Sequence, residues 1–132
     1  MLPARHRLRT AADFSATVRG AGGARSGARL LVVHGRYAPP SEHENRPAAP
    51  PARVGFVVSK GVGGAVTRNR TKRVLRHLVA DRLRRIPAGC DLVVRANPAA
   101  AEATTPELAA DLDRSLDAVL RRLRTPVGEV PS

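Results

Sequence analysis

Residues 54–77 read VGFVVSKGVGGAVTRNRTKRVLRH, and this stretch contains the local transitions that decide the fold. Residues 54–59 are mostly apolar and have the length of a buried strand. A glycine-rich turn follows, and from about residue 65 the apolar residues recur with a period of about 3.6, as in an amphipathic helix. We expect this helix to reach residue 86, because Pro87 and Gly89 are typical of a helix end.

The flanking segments predict the other elements. Thr10–Asp13 resembles a capping box, with Asp in the usual place of Glu, and predicts a short helix that ends at Gly20. Leu30–Val33 and Asp91–Arg95 are short apolar runs that predict strands. Thr104–Glu107 is a second capping box and begins a helix with one apolar face. That face contains Leu108, Leu112, Leu116, Val119, Leu120 and Leu123.

The order helix, strands, helix, strand, helix predicts a single α+β domain over residues 1–125. We expect a two-layer α/β sandwich, in which about three helices pack on a central, mostly antiparallel sheet of about four strands. Residues 1–9 are interpreted as a basic arm and 126–132 as a flexible tail. Glycine-rich residues 20–27 predict a flexible segment, and proline-rich residues 38–52 an exposed loop.

Positive charge dominates the composition, with 23 Lys and Arg against 11 Asp and Glu and a formal net charge of +12. Lys60 and Lys72 are the only lysines, so nearly all of this charge is arginine. The planar guanidinium fork fits phosphate oxygens and stacks on bases. A nucleic acid is therefore the expected partner, and the alternative is a solubilising charged surface. Phe14, Tyr37 and Phe56 are the only large aromatic residues, which argues against many stacked bases.

The basic residues of the central helix are predicted to share the side opposite its apolar residues. At about 100° per residue, that side contains Asn69, Arg73, Arg76 and Arg84, with Arg70 and His77 just beyond it. An ordinary solvated face usually mixes Glu with Lys, whereas residues 67–79 contain no acid. The stripe is therefore expected to bind a phosphate backbone with strong salt dependence. Lys60 precedes the glycines, unlike the lysine of an ATP- or GTP-binding loop, so no small-molecule cofactor is expected.

No residues have the spacing of a catalytic or metal-binding set. The histidines are scattered, at His6, His34, His43 and His77, and no paired-carboxylate pattern is found. His34 follows a predicted strand and is either a surface residue or a base-stacking partner. Cys90 cannot form an intrachain disulfide and is interpreted as a small buried residue at the start of a strand. The acids of the last helix are interpreted as its solvated face; they are Asp111, Asp113 and Asp117.

Gly55–Lys60 and Gly64–Arg73 together resemble the signature of the bacterial ribonuclease P protein family. That family has a strand ending in Ser-Lys, a glycine turn and an Arg-Asn-Arg-x-Lys-Arg helix. Further similar segments are Leu2-Pro3, Arg7–Arg9, Asp13-Phe14 and Asp91–Arg95, so the resemblance spans about residues 2–124. It implies a left-handed βαβ crossover around the basic helix.

The resemblance also implies a function. The chain would be the protein subunit of ribonuclease P, in which an RNA subunit removes the 5′ leader of precursor tRNA with Mg²⁺. The protein, a monomer without catalytic residues, would bind the ribonuclease P RNA and the leader. Residues that match the RNA-facing motif are Lys60, Arg68, Asn69, Arg70, Lys72, Arg73 and Arg76, and Asn69 is expected near bound Mg²⁺. The leader cleft is expected to contain Phe14, Val18 and His34.

The chain departs from the family pattern at several positions. Val18 stands where a second aromatic residue is frequent, Gly61 where many members have a second lysine, and Gly64 where asparagine is frequent. The proline-rich loop is longer than in many relatives. These departures concern the leader cleft and the turn, and they leave the basic helix intact.

Two other functions fit part of the sequence. A ribosomal or general RNA-binding protein fits the charge and the arginine-rich helix, but it needs no Asn69 between arginines. A membrane-surface protein would need Trp or Phe on the apolar face of that helix, which has neither. The sequence has no signal-peptide core and no long apolar run, so we expect no membrane association and a cytoplasmic location.

Overall fold

The computed structural model describes residues 2–8, 10–19, 23–37 and 51–124 of the chain. The predicted tail at 126–132 lies outside the described residues, as does the predicted exposed loop up to residue 50.

Within this part of the chain, a four-stranded sheet packs with three α-helices. The strands are β1 (Ala24–Gly27), β2 (Leu31–Tyr37), β3 (Arg53–Val58) and β4 (Cys90–Ala96), and the helices are α1 (Ala11–Arg19), α2 (Ala65–Ala80) and α3 (Thr105–Arg124). The strand order is β1-β2-β4-β3, and only the β3–β4 pair is parallel. The predicted α+β fold is thus confirmed. Helix α2 makes the crossover between β3 and β4, and the left hand of this crossover stays a prediction.

The two faces of the sheet receive different helices. A Cβ atom built on Gly35 of β2 would lie 2.7 Å from Cγ1 of Val119 in α3, on the face that forms the hydrophobic core. A Cβ atom built on Gly55 of β3 would lie 2.2 Å from Cζ of Phe14 in α1. Because the pairing places these glycines on opposite faces, α3 covers one side of the sheet and α1 the other. The absence of a side chain at each glycine allows its helix to approach closely.

The apolar face predicted for α3 is confirmed. Leu108, Leu112, Leu116, Val119 and Leu120 are buried in the core, and Leu123 packs against it. The capping box at the start of α3 also forms: the backbone N–H of Thr104 donates to the Glu107 carboxylate at 2.9 Å, and the N–H of Glu107 donates to the Thr104 hydroxyl at 3.3 Å. Cys90 begins β4 without exposed surface, and burial raises the pKa of its thiol to about 12. Its burial at the start of a strand confirms the prediction, and the raised pKa keeps the thiol protonated.

Helix α2 is shorter than predicted, since it ends at Ala80 rather than at residue 86. The side chain of Arg82 accounts for the difference. Its guanidinium donates to the Leu78 carbonyl at 2.8 Å and to both carboxylate oxygens of Asp113 in α3, at 2.6 and 3.1 Å. These contacts satisfy a terminal carbonyl of α2 and tie the following turn to α3.

On the N-terminal side, β1 lies within the segment predicted to be flexible. Its sequence, ARSG, lacks the apolar alternation of a strand. Antiparallel pairing with β2 holds it, and the Arg122 guanidinium of α3 donates to the Arg25 carbonyl. Strand β2 extends to Tyr37, so His34 lies inside this strand. We had expected His34 to follow the strand.

The predicted basic arm is packed rather than free. Leu2 and Leu8 are buried, and the backbone N–H of Leu8 donates to the Val54 carbonyl of β3 at 3.0 Å. The prediction was wrong because leucines interspersed among the arginines give this segment an apolar side. Ala52, assigned to the exposed loop, is also buried. Asp111, assigned to the solvated face of α3, is buried and accepts a hydrogen bond from the backbone N–H of Leu30 at 2.8 Å.

Replacing Gly35 by alanine tests the contact between β2 and α3. The new methyl group would lie 2.7 Å from Val119 and 2.8 Å from Leu92, two buried side chains. We expect Gly35→Ala to lower the free energy of unfolding by about 1–3 kcal/mol in urea denaturation, through overpacking. In the control Gly27→Ala the added Cβ atom makes an ordinary 3.6 Å contact. Equal losses in the two variants would contradict this packing.

Candidate nucleic-acid interface

Helix α2 begins at a turn that leaves its N-terminus open. Gly64 is the N-cap, and no side chain of the described residues caps the amides of the first turn, which contains no acid. Gly63 has a φ of 152°, a backbone conformation that favours glycine, and its N–H donates to the Lys60 carbonyl at 3.1 Å. The positive end of the helix dipole is therefore available to an anion next to Lys60.

The polar residues of α2 fall into two groups. Asn69, Arg70 and Arg73 are exposed, and we call them the α2 stripe. Arg68, Lys72 and Arg76 are half-buried, whereas Lys60, in the turn before the helix, is exposed. The opposite side of α2 is buried and contains Thr71, Leu75, Leu78 and Val79. All seven residues predicted to face RNA thus lie on α2 or on the turn that leads to it.

Arg84 does not belong to this surface. Because α2 ends at Ala80, Arg84 lies in a separate 3-10 turn, Leu83–Arg85, and its predicted place beside Arg73 and Arg76 was wrong. His77, in the last turn of α2, is exposed.

Two arginines close to Arg84, namely Arg82 and Arg85, are paired with acids of α3. Asp113 accepts hydrogen bonds from Arg82 and Arg85. The bond from Arg82 is the main cause that lowers the pKa of Asp113, and the bond from Arg85 lowers it further. Asp113 in turn raises the pKa of Arg82. Arg85 also pairs with Asp117. These positive charges are compensated within the fold, whereas among the described residues no ion pair within 4.0 Å is found for Arg70 or Arg73 of the α2 stripe.

A recess between α1, β3 and α2 brings an aromatic ring together with cations. We call it the Phe14 recess. Its lining residues are Leu2, Arg7, Leu8, Phe14, Val54, Gly55, Phe56, Lys72 and Arg76. The ring of Phe14 occupies the space above Gly55, and the half-buried Lys72 and Arg76 of α2 line the same recess. Such a recess suits one unpaired nucleotide, because a base can contact the ring while its phosphate lies near the cations.

The other two residues predicted for the leader cleft, Val18 and His34, are not among the residues that line the Phe14 recess, and their contact with the leader stays a prediction. Val18 is 40% exposed on α1, and His34 is 8% exposed within β2. Burial, followed by the positive charges of Arg25 and Arg95, lowers the pKa of His34. The neutral form of the His34 imidazole is therefore favoured.

A cluster of ion pairs joins α1 to the sheet. Arg53 of β3 donates to both carboxylate oxygens of Asp91 in β4, at 2.9 and 2.8 Å, and to Asp13 of α1 at 3.2 Å. Arg36 of β2 lies 3.3 Å from the Asp91 carboxylate and 3.7 Å from that of Asp13. We call these four residues the α1 ion cluster. Sequence reasoning assigned Asp13 to a capping box and missed the cluster.

A signal for the cluster was present in the sequence. Arg53 and Asp91 are charged residues at the start of two apolar strands, and they become direct neighbours when those strands pair in parallel. Leu2 and Leu8, which line the Phe14 recess, had no such signal, because they reach it only through the packing of the N-terminal segment.

In the part of the chain that the structure describes, no group of three or more His, Cys, Asp or Glu residues is placed to hold a metal ion. None of the described helices has the length and apolar character needed to cross a membrane.

Known proteins resemble this chain over most of its length. The family model for ribonuclease P matches residues 2–120. The ribonuclease P protein component of Streptomyces bikiniensis is 52% identical over 120 residues, covering 91% of this chain and 96% of that protein. The corresponding protein of Kocuria rhizophila is 52% identical over 122 residues, covering 92% and 98%.

Solved structures show the same fold. The RNase P protein of Staphylococcus aureus aligns with a TM-score of 0.69 and 28% identity, covering 85% of this chain and 93% of that one. The RNase P protein of Thermotoga maritima, in complex with 1-(4-fluorophenyl)-2-thiourea, aligns with a TM-score of 0.66 and 25% identity, covering 87% and 98%. The chain therefore belongs to the ribonuclease P protein component family, whose members are subunits of the endoribonuclease that processes precursor tRNA.

Proposed function

We propose that this subunit binds the ribonuclease P RNA through the α2 stripe and holds the 5′ leader of precursor tRNA in the Phe14 recess. The observation that carries the proposal is the recess itself, in which Phe14 of α1 lies together with Lys72 and Arg76 of α2. The helix that presents cations outward thus also supplies the cations of a site suited to a nucleotide. RNA and leader would bind to adjacent surfaces.

The α2 stripe has the chemistry of a phosphate-binding surface. Arg70 and Arg73 are exposed, and the residues of α2 include no acid that would compensate them. Each phosphate that an arginine neutralises releases condensed counterions, so the stripe contributes an affinity that falls steeply with salt. Lys60 and the open N-terminus of α2 extend this surface toward a further phosphate.

The Phe14 recess suits a single strand rather than a duplex. Stacking on an aromatic ring requires an unpaired base, and the 5′ leader of a precursor is single-stranded. Stacking also tolerates any base, because every base has a π-face. A recess with one ring and two neighbouring cations therefore supports capture of leaders that differ in sequence.

The chemistry of cleavage would belong to the RNA subunit with Mg²⁺. In this proposal the metal would be held mainly by the RNA rather than by the protein. When bound, Mg²⁺ stabilises the negative charge that develops on phosphate oxygens during hydrolysis. Asn69 is exposed between two arginines, and its neutral carboxamide oxygen would contact a hydrated ion held by the RNA. We expect one protein per RNA in the cytoplasm.

Replacing Phe14 by leucine tests the leader site. Leucine retains an apolar contact with Gly55 but offers no ring for a base. Since stacking contributes about 1–3 kcal/mol per base, we expect Phe14→Leu to weaken binding of precursor tRNA by the reconstituted holoenzyme about tenfold. Binding of leaderless tRNA is the control and should be unchanged. Equal weakening for both substrates would contradict leader binding in this recess.

Replacing Arg70 by glutamine tests the stripe. Removal of one phosphate contact should lower the slope of log affinity against log salt by about 1 in binding to ribonuclease P RNA. Arg114→Gln makes the same change of charge on α3, at a side chain that is 73% exposed, and should preserve the slope. A similar loss in the two variants would indicate nonspecific charge rather than a binding surface.

Replacing Asn69 by alanine separates metal-linked function from RNA affinity. Asn69 is exposed, so the folded protein should be retained. We expect the Mg²⁺ concentration needed for half-maximal precursor cleavage to rise several-fold, while the affinity for ribonuclease P RNA changes little. Parallel changes in cleavage and RNA affinity would show that Asn69 only contributes to binding.

A further inference from the structure

Helix α1 presents Phe14 to the recess, yet few apolar contacts hold this helix. It has nine residues, and Thr17 is its only buried side chain among the described residues. Phe14 is half-buried, and Val18 is 40% exposed. A helix this short is marginal in water, and its stability must come from tertiary contacts. The position of α1 therefore depends on a small number of specific interactions.

The α1 ion cluster provides such interactions with a defined geometry. The Asp91 carboxylate is buried and receives a bidentate pair of hydrogen bonds from Arg53, which fixes the plane of that guanidinium. The remaining nitrogen of Arg53 then donates to Asp13, the one acid in α1, at 3.2 Å. Arg36 lies between the same two carboxylates. Two carboxylates and two guanidinium groups thus compensate one another in a partly buried site.

This cluster lies next to the contact that places the aromatic ring. Asp13 precedes Phe14 in α1, and Arg53 precedes Gly55 by two positions on the same face of β3. The ring covers Gly55 so closely that a Cβ atom there would lie 2.2 Å from it. A shift of α1 that broke the Asp13–Arg53 pair would also move the ring relative to Lys72 and Arg76.

We propose that Asp13 and Arg53 are positioning residues for the leader: their ion pair fixes α1 on the sheet and thereby sets the distance between the Phe14 ring and the cations of α2. The proposal rests on the proposed binding of the leader in the Phe14 recess. Neither residue contacts the leader in this account, and both act through the placement of Phe14.

For Asp13→Asn, loss of positioning and loss of negative charge predict opposite changes in the affinity for precursor tRNA. The substitution removes one negative charge, so electrostatics alone would strengthen the binding of RNA. Loss of positioning predicts the opposite, namely binding of leader-containing precursor tRNA to the reconstituted holoenzyme weakened about fivefold. Binding of leaderless tRNA and of ribonuclease P RNA should change less than twofold. Asp13→Glu retains the charge and should restore part of the loss.

Asp117→Asn is the matched control, because the same chemical change breaks the pair between Asp117 of α3 and Arg85 of the 3-10 turn. It should leave the preference for leader-containing substrate unchanged. If Asp117→Asn lowers that preference as much as Asp13→Asn, or if Asp13→Asn weakens leaderless tRNA equally, the cluster supports the fold in general and the positioning role is overturned.

Combining Asp13→Asn with Phe14→Leu separates this inference from the proposed function. If Asp13 acts through the ring, Asp13→Asn should cause no further loss of leader affinity in the Phe14→Leu protein. Additive losses would overturn the positioning role. If Phe14→Leu alone has no effect, the leader site itself is wrong. If Phe14→Leu weakens leader binding and Asp13→Asn does not, the leader site stands and the positioning role falls.

Discussion

The parallel pairing of β3 with β4 is the constraint on which the rest of this structure depends. Two parallel neighbours cannot be joined by a hairpin, so the chain must cross from the end of β3 back to the start of β4. Helix α2 makes this crossing and must bury one side against the core, which directs its basic side outward. The turn at Gly63 and Gly64 gives the helix its start, and Lys60 lies beside it. The placement of the α2 stripe therefore follows from strand topology.

Two groups of arginines can be distinguished in the protein, those paired with acids and those of the α2 stripe. Arg53 and Asp91 become neighbours across the parallel pair and, with Arg36 and Asp13, form a compensated cluster. Arg82 and Arg85 are likewise compensated by acids of α3. The arginines of the α2 stripe have no acid within their own helix. A chain with a net charge of +12 can thus direct its uncompensated charge toward a polyanion, while other arginines act as structural contacts.

The sequence predicted those parts of the fold that local patterns determine. The apolar face of α3 and its capping box, the strand before the glycine turn and the basic side of α2 all have signals within about a dozen residues. Strand β1 could not be predicted, since ARSG has no strand pattern and is held by its neighbours. The end of α2 at Ala80 depends on Arg82 meeting Asp113 in α3. The same limit applies to the site, where Phe14 and Lys72 were identified singly but their shared recess was not.

The packing of residues 2–8 along β3 has a consequence for the protein before it meets RNA. Strand β3 ends the sheet, and a free edge strand offers unpaired backbone groups to other copies of the chain. Arg7 and Leu8 occupy part of that edge by pairing with Val54, and Arg7 brings positive charge to it. The opposite edge, β1, is only four residues long. Both edges are thus poor templates for intermolecular strand addition, which favours a dispersed, assembly-competent subunit at high concentration.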